Sequence, residues 1–162
     1  YCIGGAMELL MACDLAVAGE TTRFGEPEVR FGSGIVAMLA PYVIGPKQAK
    51  ELLLTGNDKV TADRCYQMGI LNQVVADGAE MEAALELANQ IVNAAPRSVQ
   101  MTKAAIHRAY ELAEMRTALR EALETDIKIE ADESPERVEF NRIRKDQGLK
   151  AALAWRNTKT AG

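Results

Sequence analysis

Aromatic residues are scarce, at 5% of the 162-residue chain. The core must therefore lean on leucine, isoleucine, valine, methionine and alanine, a composition that favours helices over a β-sandwich. Cysteines are scarce too. Cys2, Cys13 and Cys65 are odd in number and far apart, which excludes a disulfide framework and a zinc ligand set. Such usage points to a reducing compartment, or at least to no dependence on disulfides, and a cytoplasmic location is expected. No stretch approaches the ~18 consecutive apolar residues that a membrane span needs, and no signal-peptide pattern is visible. A basic stripe is also missing, and the net charge is −4, so neither a membrane nor a nucleic acid is an expected partner. There is no internal repeat and no low-complexity segment.

The chain has no initiating methionine. Tyr1 leads directly into a hydrophobic, glycine-containing run, where a natural start is more often polar and frayed. The expectation is a fragment whose upstream partner is missing.

Two regions separate by pattern. Residues 1–78 mix short apolar runs with glycine and proline, while residues 79–162 are almost continuously helical in period. In the first region a glycine pair precedes a helix-length stretch that is apolar on every side and should be buried. Residues 15–18 read as a short strand. Residues 46–54 read as a helix with Pro46 at its first position. Thr61 is placed to cap a helix that Gly69 stops, and residues 70–75 read as a strand. In the second region Met81, Leu85, Ile91 and Val92 outline one amphipathic helix, closed by Pro96. Val99, Ile106 and Tyr110 outline a second, and Met115, Leu119 and Ile127 a third. Ser134 and Pro135 make a cap and first turn, and a last helix covers residues 148–156.

Only two charges, Glu8 and Asp14, fall in residues 1–18. Glu8 lies inside the apolar helix, where an unpaired carboxylate costs several kcal/mol, on the order of 3 or more. Desolvation would raise its pKa, as a general acid or base working near neutrality requires. The alternative is a glutamate held in a first helical turn by the helix dipole. Gly4 and Gly5 stand where that helix begins, and first-turn N–H groups point at whatever lies beyond the end. They could stabilise an oxyanion there, or the pair could simply allow close helix packing. Glu28 follows Pro27 in a glycine-flanked turn and is by itself an ordinary loop carboxylate. His107 shares a face with Gln100, Lys103, Glu111 and Glu114, which reads as solvated. The basic residues of 137–159 read as a solvated face, with a phosphate-bearing ligand as the alternative.

The run GGAMELLMACDLAVAG is similar to a GGGxEL…ACD signature, and FGEPEVRFG to FGxPEVxLG. PKQAKELLLTGNDKVTADRCYQMGILNQVV and APRSVQMTK follow in the same order. Together these segments resemble the enoyl-CoA hydratase/isomerase (crotonase) superfamily. The resemblance implies an α/β fold, a partial spiral of ββα units followed by a helical C-terminal region that forms a trimer or a dimer of trimers.

It also implies that Glu8 and Glu28, twenty positions apart, are the two catalytic carboxylates, and that Gly5 donates one oxyanion-hole N–H. The implied reaction is addition of water across the 2,3 double bond of an acyl-CoA thioester. Coenzyme A enters as part of the substrate, and no metal or other cofactor is needed. Isomerisation, thioester hydrolysis and decarboxylation share the same oxyanion hole and stand as alternatives. A non-catalytic binding module with this fold is the alternative of another class.

After the second glutamate the family reads PGGGGTQRL or close to it, whereas this chain reads SGIVAMLAPYVIG. Ile35, Val36, Met38 and Leu39 are thus the candidate lining of an apolar acyl pocket. The family's N-terminal half, which brings the other oxyanion donor, has no counterpart here, so this chain alone is expected to be inactive. Trp155 and Arg156 fall near a zone that approaches coenzyme A in relatives and receive no role.

Overall fold

The computed structural model describes residues 1–34 and 38–159. All the strands it describes lie before residue 76, and the elements described from Glu80 onward are helices. Strand β1 (Cys2–Ile3) leads through Gly4 into helix α1 (Gly5–Met11). Strands β2 (Val17–Gly19) and β3 (Arg23–Gly25) follow, then a single 3-10 turn, Glu28–Phe31. Next come α2 (Ala40–Thr55), β4 (Val60–Thr61), α3 (Ala62–Met68) and β5 (Gln73–Val75). The second region holds α4 (Glu80–Val92), α5 (Pro96–Leu112), α6 (Met115–Ala131), α7 (Pro135–Gln147) and α8 (Leu149–Thr158).

The strands form two small sheets. In one, β3 lies between β1, which is parallel to it, and β4, which is antiparallel; in the other, β2 and β5 run parallel with Val17 opposite Gln73. Parallel neighbours need a crossover, and α1 and α3 belong to the segments that supply it. Short strands wrapped by helices are the architecture expected of a partial ββα spiral.

Local chemistry explains most boundaries. The Thr61 hydroxyl accepts from the Arg64 N–H at 3.2 Å, and the Ser134 hydroxyl accepts from the Arg137 N–H at 3.3 Å, so both expected caps form. Gly45 breaks α2 with φ 75° and ψ 166°. Such a backbone suits glycine, and it lets Pro46 open a second helical segment rather than obstruct one. Pro96 both ends the run of α4 and occupies the first turn of α5.

The main core gathers Met7, Phe24, Leu52, Ala62 and Cys65, none more than 2% exposed. A smaller cluster of Phe140, Ile143 and Ala152 lies between α7 and α8. Phe31 stacks on Phe140 with ring centroids 4.9 Å apart. That contact ties the C-terminal helices to the turn that follows β3.

Four sequence expectations are corrected, the first being the strand expected at residues 70–75, which forms only at Gln73–Val75. The strand expected at residues 15–18 is observed at Val17–Gly19, because its pairing with β5 sets its limits. Helix α1 is not covered on every side: Met7, Glu8 and Met11 are buried, but Leu9 is 69% exposed. The apolar stripe of α4 is present in register, yet Met81, Leu85 and Val92 remain exposed. Among the described residues no helix is long and apolar enough to cross a membrane.

Candidate active site

The site is built at the junction of β1, α1 and β3. The Gly4 N–H donates to the Gly25 carbonyl at 2.9 Å, which pins the corner between β1 and α1 against the end of β3. Gly4 itself has φ 61° and ψ −131°, a conformation open only to glycine. The pinned corner brings the turn after β3 directly over it. A Cβ placed on Gly4 would lie 2.5 Å from Glu28 Oε1. One turn into α1, Glu8 is 6% exposed, so the two sequence-selected glutamates are set about a shared glycine corner.

Gly5 occupies the first position of α1, where an N–H has no partner within the helix. Space beside it is open, since a Cβ there would meet nothing within 4 Å. Alanine substitution should therefore separate the two glycines. Gly4→Ala is expected to lose roughly 1–3 kcal/mol to backbone strain and to displace the Glu28 carboxylate. Gly5→Ala is expected to change stability by no more than about 1 kcal/mol. Urea unfolding midpoints of the two variants check this contrast.

A third carboxylate, Glu26, belongs to the same group and was not selected from the sequence. It is 3% exposed, and its side chain is hydrogen-bonded to that of Glu28. Burial, then the neighbouring charges of Glu28 and Glu8, push its pKa up to about 9. Burial also raises Glu28. Its own backbone N–H, the hydrogen bond from Glu26 and the charge of Arg156 work against that rise. Of the pair, Glu26 therefore holds its proton more tightly, and Glu28 is the side that gives one up first. Among the described residues, Glu26 Oε1 and Glu28 Oε2 are buried without a hydrogen-bond partner. A buried polar atom left unmatched is a high-cost feature that protein sites reserve for a ligand, a water or a proton.

Arg156 of α8 was read from the sequence as part of a solvated face, and the structure corrects that reading. It is 5% exposed and its guanidinium pairs with Asp58. Asp58 also takes Arg30 Nη1 at 3.3 Å, and Arg30 Nη2 donates to Asn157 Oδ1 at 3.0 Å. A buried charged network thus locks the last helix to the turn carrying Glu28.

The remaining candidates sit elsewhere. Leu39 is buried in the main core and Met38 packs partly against it, while Ile35 and Val36 lie outside the described residues. Leu39 also lines an open cavity of about 1410 Å³ beneath α1, shared with Leu10, Met11 and residues of α4–α6; none of the three glutamates lines it. His107 is largely exposed, 3.7 Å from Asp14, which also pairs with Lys103. Cys65 is fully buried and its thiol is pushed up to about 12, which leaves it inert. Among the described residues no three His, Cys, Asp or Glu side chains are grouped so that they could hold a metal ion.

Comparison with known proteins gives a consistent result. Residues 1–139 match the enoyl-CoA hydratase/isomerase family. A short-chain-enoyl-CoA hydratase from Clostridium acetobutylicum is 35% identical over 116 residues, which is 68% of this chain and 43% of that protein. A crotonyl-CoA hydratase from Syntrophomonas wolfei is 32% identical over 141 residues, 82% of this chain and 48% of that protein. The crystal structure of an enoyl-CoA hydratase/isomerase from Xanthobacter autotrophicus Py2 superposes with a TM-score of 0.92 at 44% identity. That superposition covers 98% of this chain and 59% of the other. The chain spans less than half the length of the two curated relatives.

Proposed function

The chain belongs to the enoyl-CoA hydratase/isomerase family, and from that premise we propose that it forms part of an enzyme hydrating the 2,3 double bond of an acyl-CoA thioester. The single observation that carries the reading is the placement of buried Glu8 and half-buried Glu28 about the glycine corner that starts α1. The curated relatives include proteins named short-chain-enoyl-CoA hydratase and crotonyl-CoA hydratase, and their names support the same substrate class.

In the proposed mechanism the thioester carbonyl accepts a hydrogen bond from the Gly5 N–H. A positioned donor of this kind is worth roughly 3–4 kcal/mol to a developing oxyanion. The other donor is assigned to the part of the family's length that this chain does not span. Glu8 removes a proton from water, the oxygen bonds to Cβ, and the π electrons pass to the thioester oxygen as an enolate. Glu28 then delivers a proton to Cα, and the enolate pair closes the new C–H bond. Burial raises Glu28 above the ordinary carboxylate range, which supports its place on the proton-donating side.

Residues 1–78 are proposed as part of the catalytic spiral and residues 79–162 as the assembly region. The exposed apolar residues of α4–α6 support assembly as a trimer or a dimer of trimers. Met38 and Leu39, with Ile35 and Val36, are proposed to shape the acyl site. The chemistry asks for no metal or redox cofactor. The free thiols of Cys2, Cys13 and Cys65 fit a cytoplasmic setting.

The test is a product analysis on the longest natural polypeptide that carries this sequence, with crotonyl-CoA in deuterated water. Hydration gives 3-hydroxybutyryl-CoA with deuterium at Cα. A shifted double bond in the product of a longer enoyl-CoA would move the assignment to isomerisation. Release of free coenzyme A thiol would move it to thioester hydrolysis.

A further inference from the structure

We propose that Glu26 is a positioning residue of this site, a buried neutral carboxylic acid whose O–H donates to Glu28 and stabilises the Glu28 carboxylate as it forms. The inference rests on the hydration reading and names a part of the machinery that the two-glutamate scheme leaves out.

Four observations lead to it. Glu26 is 3% exposed, in a stretch where Phe24 is fully buried and Gly25 and Pro27 are buried as well. It therefore has no route to solvent that would explain a glutamate as a surface residue. Its side chain is hydrogen-bonded to Glu28. Each of the two retains one buried oxygen with no partner among the described residues. Finally, the groups that face it are mostly acidic or neutral: Glu8 from α1, Glu28 from the turn and the Cys2 thiol from β1. Arg156 of α8 acts on Glu28 instead, from within its own pair with Asp58.

Those surroundings dictate the division of labour. Two adjacent buried carboxylates cannot both ionise at low cost, so one proton is retained by the pair. With Arg156 on the Glu28 side, Glu28 is the group that gives up its proton first, while Glu26 keeps its own. When Glu28 gives its proton to Cα, its O–H bond breaks and the electron pair stays on its oxygen. The Glu26 O–H then meets a full carboxylate, and the hydrogen bond between them becomes charge-assisted and stronger. No proton needs to leave Glu26. In the dehydrating direction the same bond keeps Glu28 ionised and able to take the Cα proton.

The test uses Glu26→Leu and Glu26→Gln in the longest natural polypeptide carrying this sequence, with crotonyl-CoA hydration and infrared difference spectroscopy. Glu26→Leu removes the donor, so kcat should fall roughly 10–100-fold with KM little changed. The alkaline limb of the hydration profile, where Glu28 loses the proton it must deliver, should move to higher pH. Glu26→Gln keeps an N–H donor and should recover most of the loss.

Independently of turnover, at a pH where Glu28 has ionised but below about 9, the wild type should show the carbonyl stretch of a neutral carboxylic acid, and Glu26→Gln should lack it. Unaltered pH limbs in Glu26→Leu while Glu28→Gln is inactive would overturn the role of Glu26 and leave the hydration reading standing. Absence of the neutral-acid band in the wild type would overturn it equally. A protein that does not hydrate, yet shows the band and loses it in Glu26→Gln, would overturn the hydration reading and retain the Glu26–Glu28 pair.

Discussion

Glu28→Gln should lower kcat for crotonyl-CoA hydration by roughly 10²–10⁴-fold, the usual worth of a positioned general acid or base. The exchange is nearly isosteric. Glutamine fits over Gly4 as glutamate does, and the core beneath it is untouched, so stability should change little. What disappears is the transferable proton at a position that the Gly4 corner and the 3-10 turn hold over the substrate space. Glu8→Gln should lose activity by a similar factor if water activation is its task. The informative result is therefore the comparison of the two. Loss in both variants, measured by the fall in enoyl-thioester absorbance, fits paired acid–base hydration. Retention of activity in Glu8→Gln alone would indicate a reaction that needs one carboxylate, such as double-bond isomerisation.

The second large effect is expected far from the chemistry. Asp58→Ala removes the partner of Arg156, whose side chain is 5% exposed, and of Arg30, whose side chain is 12% exposed. A buried charge left without its partner typically costs about 3–5 kcal/mol, which a urea unfolding series would read as a much lower midpoint. The double variant Asp58→Ala, Arg156→Met should be more stable than Asp58→Ala alone, because it no longer buries the stranded guanidinium. Losses that simply add would show that the two side chains do not interact, and would remove the proposed link between α8 and the Glu28 turn.

Most of the fold and part of the site could be read from the sequence, and the gaps follow a physical pattern. Caps and breaks are local, so Thr61, Ser134, Pro46 and Gly69 announce their elements through chemistry within a few residues. Glu8 stands out because a charge inside an apolar helix is rare, and Glu28 because it sits in a recognisable FGxPEV run. Glu26 occupies the variable position of that run, where the pattern directs no attention. The signal was present in another form: Phe24, Glu26 and Glu28 alternate, and a buried Phe24 points the next alternate residue inward. Arg156 was invisible for a different reason. Nothing in its helix, which carries only Lys150 besides it, marks it for burial, and its partner Asp58 is 98 positions away. The strong period of α4 is equally legible, but periodicity states only that a face is apolar and is silent on what covers it. In this structure Met81, Leu85 and Val92 have no such cover.

The sequence distance spanned by the Arg30 network also bears on the order in which the protein is made. Arg30 bonds to Asn157 across 127 positions, and Asp58 to Arg156 across 98. Contacts of such long range form late and slow folding, because the loop must close before they return any stabilisation. On the ribosome, β3 and the turn bearing Glu26 and Glu28 emerge while α8 is still untranslated. For that interval the acidic turn lacks its balancing guanidinium, and the Phe31 ring lacks Phe140. The three carboxylates reach their observed arrangement only once α8 has been synthesised and has docked, long after the turn itself has emerged.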